Sequence, residues 1–184
     1  MTRPARPAHS APILDIVAAS ARWKHDAEAV KKIMRHAIGR AADATLSTTR
    51  NELAIVLTDD SGIRLFNRDW RGIDAATNVL SFAAKTSVAR NSKAAKAGEH
   101  LGDIVLAYET IAREARSEGK PFAHHVAHLA VHGFLHLVGY DHETAKEAAV
   151  MERTERDILR QLAIPDPYRP PAKRRAKRQT RNPQ

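Results

Sequence analysis

The chain has 184 residues, of which 43% are hydrophobic and 28% charged, enough to bury the core of one domain. It contains no cysteine, which excludes a disulfide scaffold, a cysteine nucleophile and every thiolate metal site. Its net charge is +9, yet it has no run of about 18 apolar residues and no apolar signal core near Arg3 and Arg6, so a cytoplasmic protein without a membrane span is expected.

In chain order, Ile13 to Ala18 alternates and is β-branched enough for a strand. Asp26 to Ala42 sets Ala27, Val30, Ile33, Met34, Ala37 and Ile38 on one helix face, with Asp26 placed as N-cap. Glu52 to Thr58 reads as a second strand, closed by Asp59-Asp60-Ser61-Gly62. A short helix is expected over Ser61 to Trp70, and a third strand over Asn78 to Phe82. Thr86 to His100 is polar and reads as a long exposed loop, followed by a fourth strand over Gly102 to Ala107. A helix over Glu109 to Ser117 precedes a long, mainly apolar helix over Pro121 to Val138, capped by Gly139. A last helix over Thr144 to Leu162 carries Ala148, Met151, Ile158, Leu159 and Leu162 as its core stripe, and Pro165 ends the fold. The expected architecture is a single α+β domain: a roughly four-stranded mixed sheet forming one α/β-type layer, with about five helices and the buried helix packed on the sheet.

The charge is carried by the ends. Residues 168–184 hold seven basic side chains and no acid, and Arg3 and Arg6 add two more. Positions 10 to 167 then hold 21 basic against 21 acidic residues, a formal charge of zero. We expect residues 1–9 to be a flexible basic N-terminus, 10–168 the catalytic domain and 169–184 a disordered basic tail. The tail suits contact with nucleic-acid phosphates and equally suits a solubilising extension.

Six of the ten histidines lie between His124 and His142. His132 and His136 are four residues apart, so they share a helix face and can grip one metal ion. Gly139 breaks the helix and lets the chain fold back to deliver His142 to the same ion. Three imidazoles leave a fourth tetrahedral position open, the pattern of a catalytic zinc site, with one zinc per chain. The spacing resembles that of the metzincin proteases, but their general-base glutamate after the first histidine is replaced here by Gly133, which argues against peptide hydrolysis. His128 is open between a substrate contact, a donor behind a ligand and a helix-face residue. Asp141 is open between orienting a ligand and capping the turn, and His124 and His125 are expected to be exposed and without a role.

His132-Gly-Phe-Leu-His-Leu-Val-Gly-Tyr-Asp-His142 resembles the signature of the YbeY family of bacterial rRNA maturation factors. Leu65 to Gly72, Thr77 to Phe82, Gly102 to Val105, and Met151-Glu152 with Glu155, Ile158 and Pro167-Tyr168 resemble further family segments in the same order, covering roughly residues 50 to 168. Phe66 interrupts the family's Leu-Asn pair, and Asn78 stands where the family usually has Asp, a swap read as tolerable in a structural role. The resemblance implies a single-strand-specific metallo-endoribonuclease acting in 16S rRNA 3′-end maturation and ribosome quality control, with rRNA and ribosomal particles as partners. It implies His132, His136 and His142 as zinc ligands, and Arg71 and His132 in catalytic roles, Arg71 as a guanidinium fork near the metal. Trp70 is read as packing. The rival readings are a zinc hydrolase of another substrate and a non-catalytic zinc-containing ribosome assembly factor.

Overall fold

The computed structural model describes residues 11–46, 51–84 and 98–169. Among them lie four strands, β1 (Ile13–Ala18), β2 (Glu52–Thr58), β3 (Val79–Ala83) and β4 (His100–Ala107). Five α-helices accompany them among the described residues: α1 (Ala27–Thr45), α2 (Asp60–Arg71), α3 (Tyr108–Ser117), α4 (Phe122–Leu137) and α5 (Ala145–Gln161). The strands form one sheet of order β1-β2-β4-β3. β1, β2 and β4 run parallel, and β3 joins β4 antiparallel at the edge. This is the mixed-sheet α+β domain expected from the sequence. Both basic ends fall outside the described residues, except Arg169, as do residues 86–97 of the loop expected over Thr86 to His100; its last residue, His100, begins β4 instead.

The alternation of the strands sorts the helices onto two faces. Leu53, Ile55 and Leu57 of β2 and Ile104 and Leu106 of β4 enter the main core with α1, α4 and α5. Val56, Val105 and Leu80 point the other way, onto Ile63 of α2. The sheet is therefore covered on both sides, where the sequence reading had stressed one buried helix against one layer.

Local chemistry explains the element ends. Asp59 caps α2, accepting a hydrogen bond from the Gly62 N–H at 2.9 Å. Gly72 (φ 71°) ends that helix in the left-handed region, so α2 runs through Arg71 rather than stopping at Trp70. Thr144 and Glu147 form a reciprocal capping box at the start of α5. Asp26 occupies the N-cap position of α1 but makes no side-chain cap; it accepts from the Tyr108 hydroxyl at 3.3 Å instead. A 3-10 turn over Ala21–Trp23, absent from the sequence reading, buries Trp23 against Tyr108 and Phe122, with its indole N–H donating to the Thr58 carbonyl at 2.7 Å.

α4 is the axis of the molecule, packed against α1, α3, α5, β3 and β4. Val131, Phe134 and Leu135 are fully buried, each stabilising the fold by about 1.5–3 kcal/mol. Gly133 lies on the side facing the sheet, where an added Cβ would sit 2.8 Å from Ser81 Oγ and 3.1 Å from Ile104 Cγ2. The helix approaches the sheet that closely because position 133 has no side chain.

Candidate metal centre

The remaining open strip of α4 carries histidines. His132 and His136 stand one turn apart, their Nε2 atoms 3.2 Å from each other. Beyond Leu137 the helix closes with the two bonds of a Schellman motif. The Gly139 N–H donates to the His136 carbonyl at 3.1 Å and the Tyr140 N–H to the Leu135 carbonyl at 3.0 Å. Gly139 takes φ 91°, which a side chain would strain. The reversal brings His142 back over the helix, its ring stacked on that of His132 with centroids 5.6 Å apart. One ring nitrogen from each of the three histidines lies within 4.8 Å of the other two.

Their protons are assigned by what lies behind them. His136 Nδ1 faces the Tyr140 carbonyl at 3.1 Å, an acceptor only, so Nδ1 carries the proton. His132 Nδ1 faces a carboxylate oxygen of Glu155 at 2.8 Å. In a neutral ring a proton on Nδ1 leaves Nε2 as the lone-pair atom, and both Nε2 atoms face the same point. Burial, with His132 and His142 adding repulsion, pushes His136 down to about 4, so near neutrality it brings no proton to the gap. At 3.2 Å the two Nε2 atoms need a cation between them, a proton or a metal ion. Three imidazole nitrogens match borderline zinc better than magnesium, which takes oxygen ligands. The residues present fit a metal ion.

A cleft of about 430 Å³ opens over this cluster, lined by His132, His136, His142, Arg71, Asp141 and Ser81 among others. Val79, Ser81 and Ala83 of edge strand β3 form its floor. Arg71 reaches the rim from the last position of α2, on the opposite side of the sheet edge. It is exposed and makes none of the described hydrogen bonds or ion pairs, whereas Arg64 and Arg68 are paired with Asp74 and Asp69.

Other sequence expectations divide. Asp141 accepts the His142 backbone N–H at 2.8 Å and so shapes the turn. His128 Nε2 lies 3.3 Å from Glu155, which makes it a donor behind a ligand. The expectation that His125 is exposed is wrong. It is buried under α3, its Nε2 2.8 Å from Glu114, and burial lowers its pKa against the pull of that carboxylate. His124, next to it, is half-buried. Trp70 packs on Phe82 at 5.8 Å between ring centroids but stays 72% exposed, so packing accounts for only part of its surface. Asn78 donates to both oxygens of Glu114, at 3.2 and 3.0 Å, where an aspartate would set two carboxylates face to face.

Sequence reasoning named Glu155 in a family segment but gave it no role. It lies on α5 between Met151 and Ile158, fully buried, with one carboxylate oxygen toward His132 and the other toward His128 and the Tyr168 hydroxyl. Burial raises its pKa, but the hydrogen bonds of His128, His132 and Tyr168 outweigh that and bring it down to about 2. Burial, then Glu155, pushes Tyr168 up, so its hydroxyl stays a donor. The available signal was an acid in the middle of an apolar helix stripe.

Known proteins place this arrangement. The family model described as Endoribonuclease YbeY matches residues 16–163. The chain belongs to the YbeY family. The match begins well upstream of the motifs that carried the sequence resemblance. A Rhodopseudomonas palustris (strain BisA53) protein named Endoribonuclease YbeY is 50% identical over 157 residues, covering 85% of this chain and 90% of that one. One of the same name from Nitrobacter hamburgensis is 51% identical over 160 residues, covering 86% of this chain and 83% of its own. The solution structure of TM1509 from Thermotoga maritima is similar at 19% identity and a TM-score of 0.45, over 85% of this chain and 99% of that one. No helix among the described residues is long and apolar enough to cross a membrane.

Proposed function

We propose that this YbeY-family protein is a zinc-dependent endoribonuclease that cuts single-stranded RNA, with His132, His136 and His142 as the metal ligands. The observation that carries the reading is the convergence of the His132 and His136 Nε2 atoms at 3.2 Å, with a His142 ring nitrogen beside them, in an open cleft. The name endoribonuclease borne by relatives at about half identity supports RNA as substrate.

A zinc ion held there would supply Lewis acidity toward a phosphoryl oxygen and lower the pKa of water. The chain's own residues do the rest. His132 and His136 present their lone pairs through tautomers set from behind, and His132 counts with Arg71 as catalytic. Arg71 offers a planar fork from the rim, suited to two oxygens of one phosphate. Gly133 points into the sheet, so nothing at that position serves as the base of a peptidase. The finer assignment, the 3′ end of 16S rRNA in ribosomal particles in the cytoplasm, rests on the family resemblance; the division into a catalytic domain with basic ends rests on where the charge falls in the sequence.

The experiment is cleavage of a single-stranded 16S rRNA 3′-precursor fragment by the full chain, beside its duplex form. Cutting of the single strand alone is expected. A zinc-loaded protein that binds the fragment without cutting it would favour an assembly factor. Arg71→Lys keeps the charge and loses the fork. We expect cleavage to fall at least about tenfold, the equivalent of 1.4 kcal/mol, with thermal stability unchanged. Wild-type turnover in that variant would remove Arg71 from the chemistry.

A further inference from the structure

The fully buried carboxylate of Glu155 sits in the worst place for stability alone. Its neighbours on the helix face, Met151, Ile158 and Leu159, are core residues, and a leucine would continue their stripe. An interior carboxylate is tolerated only when its lone pairs are satisfied; a whole buried polar cluster can often be replaced by well-packed apolar residues without loss, but removing one member leaves its partners unpaired. Here the lone pairs are satisfied by an ordered set of donors. Oε1 takes His132 Nδ1 at 2.8 Å. Oε2 takes His128 Nε2 at 3.3 Å and the Tyr168 hydroxyl.

Tyr168 is itself held in place. It belongs to the segment that leaves α5 and returns along α4. Ile164 of that segment is buried, and Lys120 Nζ donates to the Pro167 carbonyl at 2.6 Å. The Arg156 guanidinium lies over the phenol ring at 5.1 Å, and the His128 ring meets it edge-on with centroids 5.6 Å apart. Three chain segments, α4, α5 and the exit from α5, thus meet at one carboxylate whose remaining contact is a metal-site imidazole.

We infer that Glu155, steadied by Tyr168 and His128, is the positioning residue of the metal centre: it fixes His132 as the Nδ1–H tautomer and aims its Nε2 lone pair at the metal. His136 has a backbone carbonyl behind it; His132, in mid-helix, has no free carbonyl to use, because helix carbonyls are bonded within the helix. The carboxylate from α5 takes that place, and its negative charge also raises the basicity of the ligand. This rests on the metal reading of the site.

The test uses the full-length protein and Zn2+ itself, with affinity read by competition against a chelator. Glu155→Leu leaves the donors of His128, His132 and Tyr168 without their acceptor, so it should lower the thermal midpoint of the metal-free protein and also bind Zn2+ about 10–100-fold more weakly, the usual effect of losing such a partner. Tyr168→Phe, at the exposed edge of the cluster, should lose less. In metal-free wild type, long-range 15N–1H spectra should show the His132 proton on Nδ1, and in Glu155→Leu a shift toward the other tautomer. A residue that only filled space would move stability and leave tautomer and affinity alone. Wild-type Zn2+ affinity in a folded Glu155→Leu would overturn the assignment and leave the metal reading standing. Absence of Zn2+ binding by wild type would overturn both. If Glu155→Leu does not fold, the wild-type spectrum decides: a proton on Nε2 of His132 would sink the proposal.

Discussion

Replacing His136 by alanine is expected to abolish zinc retention and RNA cleavage together while the protein stays folded. Its ring is half-buried at the edge of the core, and its burial energy is small beside that of Phe134 and Leu135, which hold the same helix turn. What the substitution removes is one of two lone pairs that face each other at 3.2 Å, and one of three donors in all. The two left behind, His132 and the exposed His142, lie on different segments, and among the described residues nothing else lining the cleft offers a third imidazole. Loss of a direct ligand exceeds loss of a contact behind one, so affinity should drop by more than about 100-fold and cleavage should reach background. The check is paired: metal content after dialysis, and cleavage of a single-stranded RNA. Retained cleavage in a protein that holds no zinc would separate the chemistry from the histidines.

Gly133→Glu is expected to have the largest effect on stability. The position borders the first histidine of the motif, where a protease of similar spacing would hold its base, so a glutamate there could be imagined as a gain of function. The structure makes it a packing failure. A Cβ alone meets Ser81 Oγ at 2.8 Å and both Ile104 methyl carbons within 3.3 Å, between α4 and the sheet. A further carboxylate would be forced between α4 and the sheet with the Ser81 hydroxyl as its nearest polar neighbour, a desolvation cost of several kcal/mol added to about 1–3 kcal/mol of overpacking. That is comparable to the whole stability of a small domain, about 5–15 kcal/mol. We expect an insoluble or unfolded product, read by circular dichroism and thermal melting, and no peptidase. Gly133→Ala should be milder, since the helix gains about 1 kcal/mol of propensity and a serine rotamer relieves the closest contact, leaving the Ile104 methyls to give by a few tenths of an ångström. A Gly133→Glu protein melting like wild type would mean that α4 does not lie against β3 and β4 as described.

The strands and helices were legible from apolar pattern and punctuation: α1 and α5 each show one apolar face, β2, β4 and α4 read as nearly continuous apolar runs, and each has a clear stop. Gly139 and the four-residue histidine spacing announced the metal cluster for the same reason: both are local. What the sequence hid is made by segments far apart in the chain. Glu155 looked like one charge among several on α5; only the packing of α5 on α4 turns it toward His132. His125 looked like a surface residue because its partner, Glu114, lies on another helix, 11 positions away. Trp23 was passed over because a 3-10 turn leaves no periodic pattern, although its indole anchors the start of the fold. Arg71 was placed one residue beyond its helix, a boundary error set by Gly72, yet its arrival at the rim of the cleft follows from that same cap.

The central claim is that a metal held by His132, His136 and His142 is required for cleavage of RNA. The most direct measurement strips the purified full-length chain with a chelator, removes the chelator, and follows cleavage of a single-stranded RNA as zinc is added back. We expect the stripped protein to be inactive and activity to rise with added zinc until about one ion per chain is bound, then level off. Undiminished cleavage by protein shown to hold no metal would contradict it.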